Sequence, residues 1–207
     1  MSLVIYKLGG SLLTLADLDR RLTSLLEAQL PLSPASSASR PFDRALLVGG
    51  GSAADLVRDW DKRHKLGAER AHDLALGAMT LNARFINSLL TNSEFVSRSS
   101  SIRPACARGS IVVLDPVATL AEAERRAGER LPRSWNVTSD SIAAFLAIQF
   151  RAALVLMKST PRPAGRSPAA AARQGLVDKH FPRVANRIPI VAWANLRSKR
   201  PAIERWL

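Results

Sequence analysis

Tyr6-Lys7-Leu8-Gly9-Gly10-Ser11 closes an apolar run on two glycines and a serine, just before a helical pattern begins. A second stretch repeats the arrangement: Ala45-Leu46-Leu47-Val48 leads into Gly49-Gly50-Gly51-Ser52 and a helical pattern through Asp55, Leu56 and Trp60. A short β-rich run that ends on glycine and opens a helix exposes backbone N–H groups, and the missing side chains let a phosphate approach them. Three consecutive glycines are entropically costly, so a backbone lying against a ligand or another chain is their natural explanation. The first loop alone reads equally well as a tight turn; the second favours anion binding for both. Lys7, near its strand end, adds a mobile ammonium within reach of the same anion.

Beyond these loops, β-rich runs alternate with helical patterns. Strands are expected at Leu3–Leu8, Arg44–Val48, Ile111–Leu114, Ala153–Met157 and Ile188–Trp193, and helices at Leu18–Leu30, Ala53–Lys65, Ala71–Leu90, Val117–Ala127 and Ser141–Phe150. Such alternation predicts an α/β fold, a three-layer αβα sandwich around a mostly parallel central sheet. The chain has 207 residues, 47% of them hydrophobic, enough for one sizeable core and hence a single domain over 1–207. Two segments read as flexible: Pro31–Pro41, rich in Ser, Ala and Pro, and Thr160–Pro168, crowded with Pro, Arg and Gly and lying just past a strand end. The second is either a mobile lid or disordered.

The formal net charge is +13, which suits anionic ligands. It is concentrated beyond residue 150, where twelve Lys and Arg face only Asp178 and Glu204. No helix-turn-helix, zinc or RNA-binding motif accompanies it, so nucleic acid is an unfavoured partner and a solvated arginine-rich surface competes with any specific polyanion site. The single cysteine, Cys106, offers no disulfide framework or zinc spacing. Neither a secretory leader nor a run of about 20 apolar residues is present, giving the expectation of a soluble, cytoplasmic protein. His64, His72 and His180 lack zinc-like spacing; His72, on the helix expected after the second loop, is the best placed to line a pocket. Arg58, Asp59 and Asp61 read as a solvated helix face, and Trp135 either as packing or as a stacking surface for a flat ring.

Gly49, Gly51 and Ala54 satisfy a dinucleotide-binding fingerprint, which keeps an NAD-dependent dehydrogenase in play. It falls outside the first βαβ unit, and Glu69, at the separation where a strand-end acid belongs, opens a helix instead. A P-loop sequence is absent. The third constellation is Trp135-Asn136-Val137-Thr138-Ser139-Asp140-Ser141, directly before an apolar helix. Such residues often serve only as caps. A carboxylate at Asp140 would also hold lysine ammonium groups in place, and Lys158 ends a nearby strand.

Together, Lys7-Leu8-Gly9-Gly10-Ser11, Gly49-Gly50-Gly51 and Asn136-Val137-Thr138-Ser139-Asp140 resemble the amino-acid-kinase family. Trp135–Ala144, the run Glu69-Arg70-Ala71-His72 with Met79, and Gly175–Pro182 look most like its aminomethylfuran phosphate kinase branch, which serves biosynthesis of methanofuran, a one-carbon carrier. The resemblance implies an ATP-dependent phosphotransferase acting on a small phosphorylated or carboxylated acceptor. It implies an acceptor half over 1–134, a nucleotide half over 135–207, a magnesium ion held chiefly by the nucleotide phosphates, and a homodimer. Lys7, Asp140 and Lys158 would be catalytic; Gly9, Gly10, Ser11 and Ser139 would hold the nucleotide; Gly49, Gly50, Gly51, Asn136 and Thr138 would hold the acceptor.

The sequence departs from the family after Lys158. An Asp-Gly-Val-Tyr-like turn is replaced by Ser159-Thr160-Pro161-Arg162-Pro163, and the glycine-methionine segment with a second lysine is missing, leaving Lys158 and Lys179 both open as that lysine. These changes keep a non-catalytic nucleotide or anion binder of the same fold as the alternative, with a polyphosphate binder behind it.

Overall fold

The structure, a computed structural model, describes residues 3–28 and 42–207. The segment Pro31–Pro41 and the end of the helix expected over Leu18–Leu30 therefore lie outside the described residues. Seven strands, β1 (Leu3–Leu8), β2 (Asp43–Val48), β3 (Ser93–Val96), β4 (Ile111–Leu114), β5 (Ala153–Lys158), β6 (Val191–Asn195) and β7 (Ile203–Arg205), form one sheet in the order β3-β4-β2-β1-β5-β6-β7. All neighbours are parallel except β7, which runs antiparallel to β6. The helices are α1 (Leu18–Glu27), α2 (Gly51–His64), α3 (Ala68–Leu89), α4 (Ile102–Ala107), α5 (Pro116–Ala127), α6 (Ser139–Gln149), α7 (Pro168–Arg173) and α8 (Phe181–Ala185), with a 3-10 turn at Gly10–Thr14. The expected α/β sandwich is what is found.

Strand periodicity assigns the two cores. Ile5, Ala45, Leu47, Val112, Leu154 and Leu156 point to one face, where α4, α5 and α6 pack, whereas Val4, Tyr6, Leu8, Leu46, Val113 and Val155 point to the other, with α1. Buried on both faces, the central strands read as continuous apolar runs. The helix α6 is buried from Ser139 through Ala147, and its alanines at 143, 144 and 147 let it lie close against the sheet. No helix among the described residues is long and apolar enough to cross a membrane.

From β1 the chain moves to β2 on one side and later returns to β5 on the other. The switch point is thus at β1, and the crevice at the carboxyl ends of β1, β2 and β5 is where open α/β sheets bind ligands.

Several expectations need correction. The strand placed at Ile188–Trp193 is observed at Val191–Asn195, because Pro189 lacks a donor and biases its neighbour away from regular pairing. The segment Thr160–Pro168, read as a lid or disorder, is tied down: the indole N–H groups of Trp193 and Trp206 donate to the carbonyls of Thr160 and Gly165, each at 2.9 Å, and Ser167 caps α7. Edge strands β3 and β7 and the short helices α4, α7 and α8 were not expected. Each has six residues or fewer and is formed by tertiary packing rather than local pattern.

Candidate functional site

Two glycine loops meet at the switch point. The Gly9 N–H donates to the carbonyl of Met157 at 2.9 Å and the Gly49 N–H to that of Leu8 at 2.8 Å, so the first glycine of each loop laces neighbouring strand ends together. The next glycines bring the loops into backbone contact: a Cβ on Gly10 would lie 2.1 Å from the Gly51 nitrogen, and one on Gly49 would lie 2.9 Å from Ser139 Oγ. Gly51, at φ +49°, occupies the left-handed region that favours glycine. Gly51 and Ser52 open α2 while Gly10 and Ser11 open the 3-10 turn, so their N–H groups belong to first turns that lack intrahelical acceptors. Asn82 Nδ2 donates to the carbonyls of Gly49 and Gly50, each at 2.8 Å, turning those oxygens away from the crevice.

Beside the loops stands a buried charge trio. Lys7, two residues after Ile5, shares its face of the sheet and therefore faces α6, whose first turn carries Asp140. Lys7 Nζ lies 2.8 Å from Asp140 Oδ1 as an ion pair lacking hydrogen-bond alignment, whereas Lys158 Nζ donates an aligned bond to Oδ2 at 2.7 Å. Asp140 and Lys7 are each 4% exposed. Burial alone would raise the Asp140 pKa, but Lys158 and Lys7 overcome it and bring it down to about 2. Lys158 is brought down to about 8 because burial and the like charge of Lys7 outweigh its pairing with Asp140. One anion between two cations is over-compensated, and each cation is under-compensated. The trio carries a net positive charge and suits an incoming anion.

A cleft of about 210 Å³ opens from the loops, lined by Gly10, Ser11, Gly50, Gly51, His72, Met79, Trp135, Thr138 and Ser139 among others. Burial and the nearby Arg133 guanidinium lower the His72 pKa and favour its neutral form, with Arg133 Nη1 3.4 Å from its Nε2. Arg133 is itself paired to Glu124 at 2.7 Å. Trp135 forms an outer wall: its indole N–H donates to Asp61 Oδ2 at 2.8 Å, and the Arg58 guanidinium lies 4.5 Å from the ring centroid. Arg58 and Asp61, expected to be merely solvated, thus join the cleft wall to α2.

Of the residues singled out in the sequence, the structure gathers Lys7, Gly9, Gly10, Ser11, Gly49, Gly50, Gly51, Thr138, Ser139, Asp140 and Lys158 around one crevice. Asn136 is exposed, outside the cleft lining, with its carbonyl bonded to the His180 N–H at 3.1 Å. Lys179 is exposed, leaving Lys158 as the second lysine on Asp140. Sequence reasoning missed Arg197, whose Nη2 donates to the Ser11 carbonyl at 3.0 Å and to Thr14 Oγ1 at 2.9 Å, clamping the first loop from the end of β6. It also missed Asn82. Neither has a local signal, since each is an ordinary polar residue until the sheet brings it to the loops.

Among the described residues no group of three His, Cys, Asp or Glu is placed to hold a metal. The phosphate portion of a nucleotide fits this chemistry: backbone donors with no room for a Cβ, beside a net cationic trio.

No curated protein matches the chain in sequence. Among solved structures, uridylate kinase from Archaeoglobus fulgidus is similar in fold, with a TM-score of 0.58 at 14% identity, covering 93% of this chain and 89% of that one. The sequence profile of the amino acid kinase family matches residues 2–162, three-quarters of the chain and all of the crevice just described except the Arg197 clamp, and the chain belongs to that family.

Proposed function

We propose that this protein is a cytoplasmic ATP-dependent kinase that phosphorylates a small anionic acceptor, a phosphate monoester of the aminomethylfuran phosphate type used in building one-carbon carriers. The observation that carries this reading is the Asp140 carboxylate between Lys7 and Lys158, beside two backbone cradles that touch. ATP with magnesium would supply the phosphoryl group, the electron pair of the broken P–O bond leaving on ADP. Gly9, Gly10, Ser11 and Ser139 would hold its phosphates, and Gly49, Gly50, Gly51 and Thr138 the acceptor. An acceptor already ionised at neutral pH needs no general base, so the chain's own contribution is alignment and charge stabilisation. Lys7 and Lys158 would neutralise charge that develops towards the leaving group, and Asp140 would keep both ammonium groups aimed there. The neutral His72 and the Trp135 ring support a flat, partly apolar acceptor, and the cleft's size supports a small one.

The proposed halves, 1–134 for the acceptor and 135–207 for the nucleotide, follow from the same reading. So does the homodimer, which the exposed Leu74, Leu81, Phe85 and Leu89 on α3 support.

ADP release measured with ATP and a panel of phosphorylated and carboxylated acceptors, uridylate included, tests the activity. Turnover with one acceptor, lost in Lys7→Ala, is expected; ATP binding with no product from any acceptor would sink it. A non-catalytic binder is the second reading, favoured by the indole-stapled turn after Lys158. It predicts saturable thermal stabilisation by nucleotide without product.

A further inference from the structure

The first turn of α6 is held by a carboxylate from elsewhere in the chain. Thr138, which precedes the helix, makes no side-chain cap bond. Asp178, in the loop between α7 and α8, supplies the acceptors instead. Its Oδ2 accepts from Thr138 N and Thr138 Oγ1, both at 3.0 Å, and from Ser141 N at 2.9 Å. Its Oδ1 accepts from Ser141 Oγ at 2.5 Å, His180 N at 3.1 Å and Phe181 N at 2.9 Å. Each oxygen thus faces two backbone N–H groups, which cannot reverse their polarity. An ionised carboxylate satisfies all of them; an amide, whichever way it is turned, presents its NH₂ to two further donors.

These bonds flank Asp140, gripping Thr138 and Ser141 on either side of it. We propose that Asp178 is a positioning residue, fixing the first turn of α6 so that Asp140 stands between Lys7 and Lys158. The proposal rests on the reading of that trio as the transfer centre and goes further, assigning its alignment to a loop that the family resemblance gave no role.

A cap that merely stabilises its helix has a built-in control. Asp115 caps α5 from its own N-cap position, its Oδ1 accepting from Val117 N at 3.1 Å and Ala118 N at 3.4 Å, away from the trio. Both Asp178→Asn and Asp115→Asn should lower the melting temperature, and only the first should disturb Lys158.

Lys158 is read by competitive acetylation with acetic anhydride across pH, followed by peptide mass spectrometry. The groups facing it are Asp140 from α6, Lys7 from β1, Asp178 from its loop and the Trp193 ring from β6. In the unmodified protein Lys158 should half-react near pH 8. Asp140→Asn removes its partner and should move that point down by about one pH unit; Asp178→Asn should do nearly the same, and Asp115→Asn should not move it. In the Asp140→Asn background, Asp178→Asn should add only the small direct effect of losing its own charge, the smallest of those acting on Lys158, because the rest of its effect passes through Asp140.

An unmoved Lys158 in Asp178→Asn, or shifts that simply add in the double variant, would overturn the proposal. Should Asp178→Asn not fold, Ser141→Ala removes one of the six bonds and should give a shift between the wild type and Asp140→Asn; an unshifted Ser141→Ala counts against it. The labelling needs no turnover, so a chain that phosphorylates nothing would defeat the kinase reading and leave this test standing.

Discussion

The two ends of the crevice are built from different materials. At the β1–β2 end the walls are backbone: Gly10 and Gly51 touch so closely that no side chain fits between them. At the β5–β6 end the walls are side chains, with Trp193 and Trp206 stapling the turn after Lys158 and Arg197 reaching back to the first loop. Backbone donors offer the same geometry to any phosphate, whereas side-chain staples can be exchanged without disturbing what lies between. The departure from the family pattern falls at the exchangeable end, and the charge trio stands where the two ends meet.

The largest effects are expected at that junction. Lys7→Ala should cut turnover by about 10³-fold, roughly 4 kcal/mol of transition-state stabilisation, with a cooperative melt retained because Asp140 keeps Lys158. Asp140→Asn should cost as much turnover and, in addition, roughly 3–5 kcal/mol of stability, since it leaves two buried ammonium groups without a counter-charge. An ADP-release assay and a thermal melt on each variant check both. Equal melts for the two would mean the trio is not a closed electrostatic unit.

Next comes the contrast between the ends themselves. Gly10→Ala would place a Cβ 2.1 Å from the Gly51 nitrogen, a backbone atom that cannot yield, so the two loops must separate. A loss of roughly 3–4 kcal/mol, or about 10 °C in melting temperature, is expected, with nucleotide stabilisation lost as well. Ser159→Ala removes only a 3.3 Å hydroxyl contact with Ser11 at the side-chain end and should change the melt by no more than about 2 °C. Comparable losses would erase the distinction between the ends.

The backbone end was also the legible one. Glycines after a β-rich run announce a close approach in sequence, whereas Asp140 before an apolar helix reads equally as a cap, and only the family resemblance joins it to Lys7 and the two loops. Lys158 was visible as the end of a strand, but its claim over Lys179 needed the sheet, because β5 pairs with β1 up to Leu8 opposite Met157 and so carries Lys158 to the trio, whereas Lys179 lies exposed in the loop before α8. The side-chain end was opaque. Trp206 stacks on Phe181 with ring centroids 6.0 Å apart and meets Trp193 edge-on at 5.5 Å, and the indole bonds to Thr160 and Gly165 depend on a three-residue edge strand that no local pattern reveals. A turn rich in Pro, Arg and Gly therefore looked loose, although its restraints come from distant aromatics. The six donors on Asp178 were illegible for the same reason.

The charge trio also makes stability and turnover respond oppositely to rising pH. Asp140 has its folded pKa lowered from 3.8 to about 2, so its contribution to stability is present above pH 4 and is lost as pH falls through about 2. Lys158 has its folded pKa lowered from 10.5 to about 8, so between those values the unfolded chain binds more protons and this group's contribution rises with pH. Turnover should instead fall above about pH 8, as the ammonium that neutralises the leaving group is lost. Bound nucleotide phosphates should hold that proton and move the falling limb to higher pH in kcat than in kcat/KM. Profiles of rate and of melting temperature against pH read the two trends, and limbs that coincide would remove the nucleotide from contact with Lys158.

The smallest effect belongs to the outer wall of the cleft proposed for the acceptor. Trp135 is held to α2 by its indole bond to Asp61 and by the Arg58 guanidinium over its ring. Asp61 also accepts the Gly67 N–H at 3.1 Å, so changing it would unsettle the turn between α2 and α3 as well. Trp135→Phe is the cleaner probe, keeping a ring for Arg58 while removing the indole N–H. Losing one partly exposed hydrogen bond is worth about 1 kcal/mol, or roughly a fivefold change in an equilibrium constant. Because Trp135 lines the cleft beside Gly50 and Gly51 and takes no part in the trio, that change should appear in the acceptor KM, with the ATP KM and kcat held within about twofold. A change in the ATP KM instead would place this wall at the nucleotide end and reverse the assignment of the two loops.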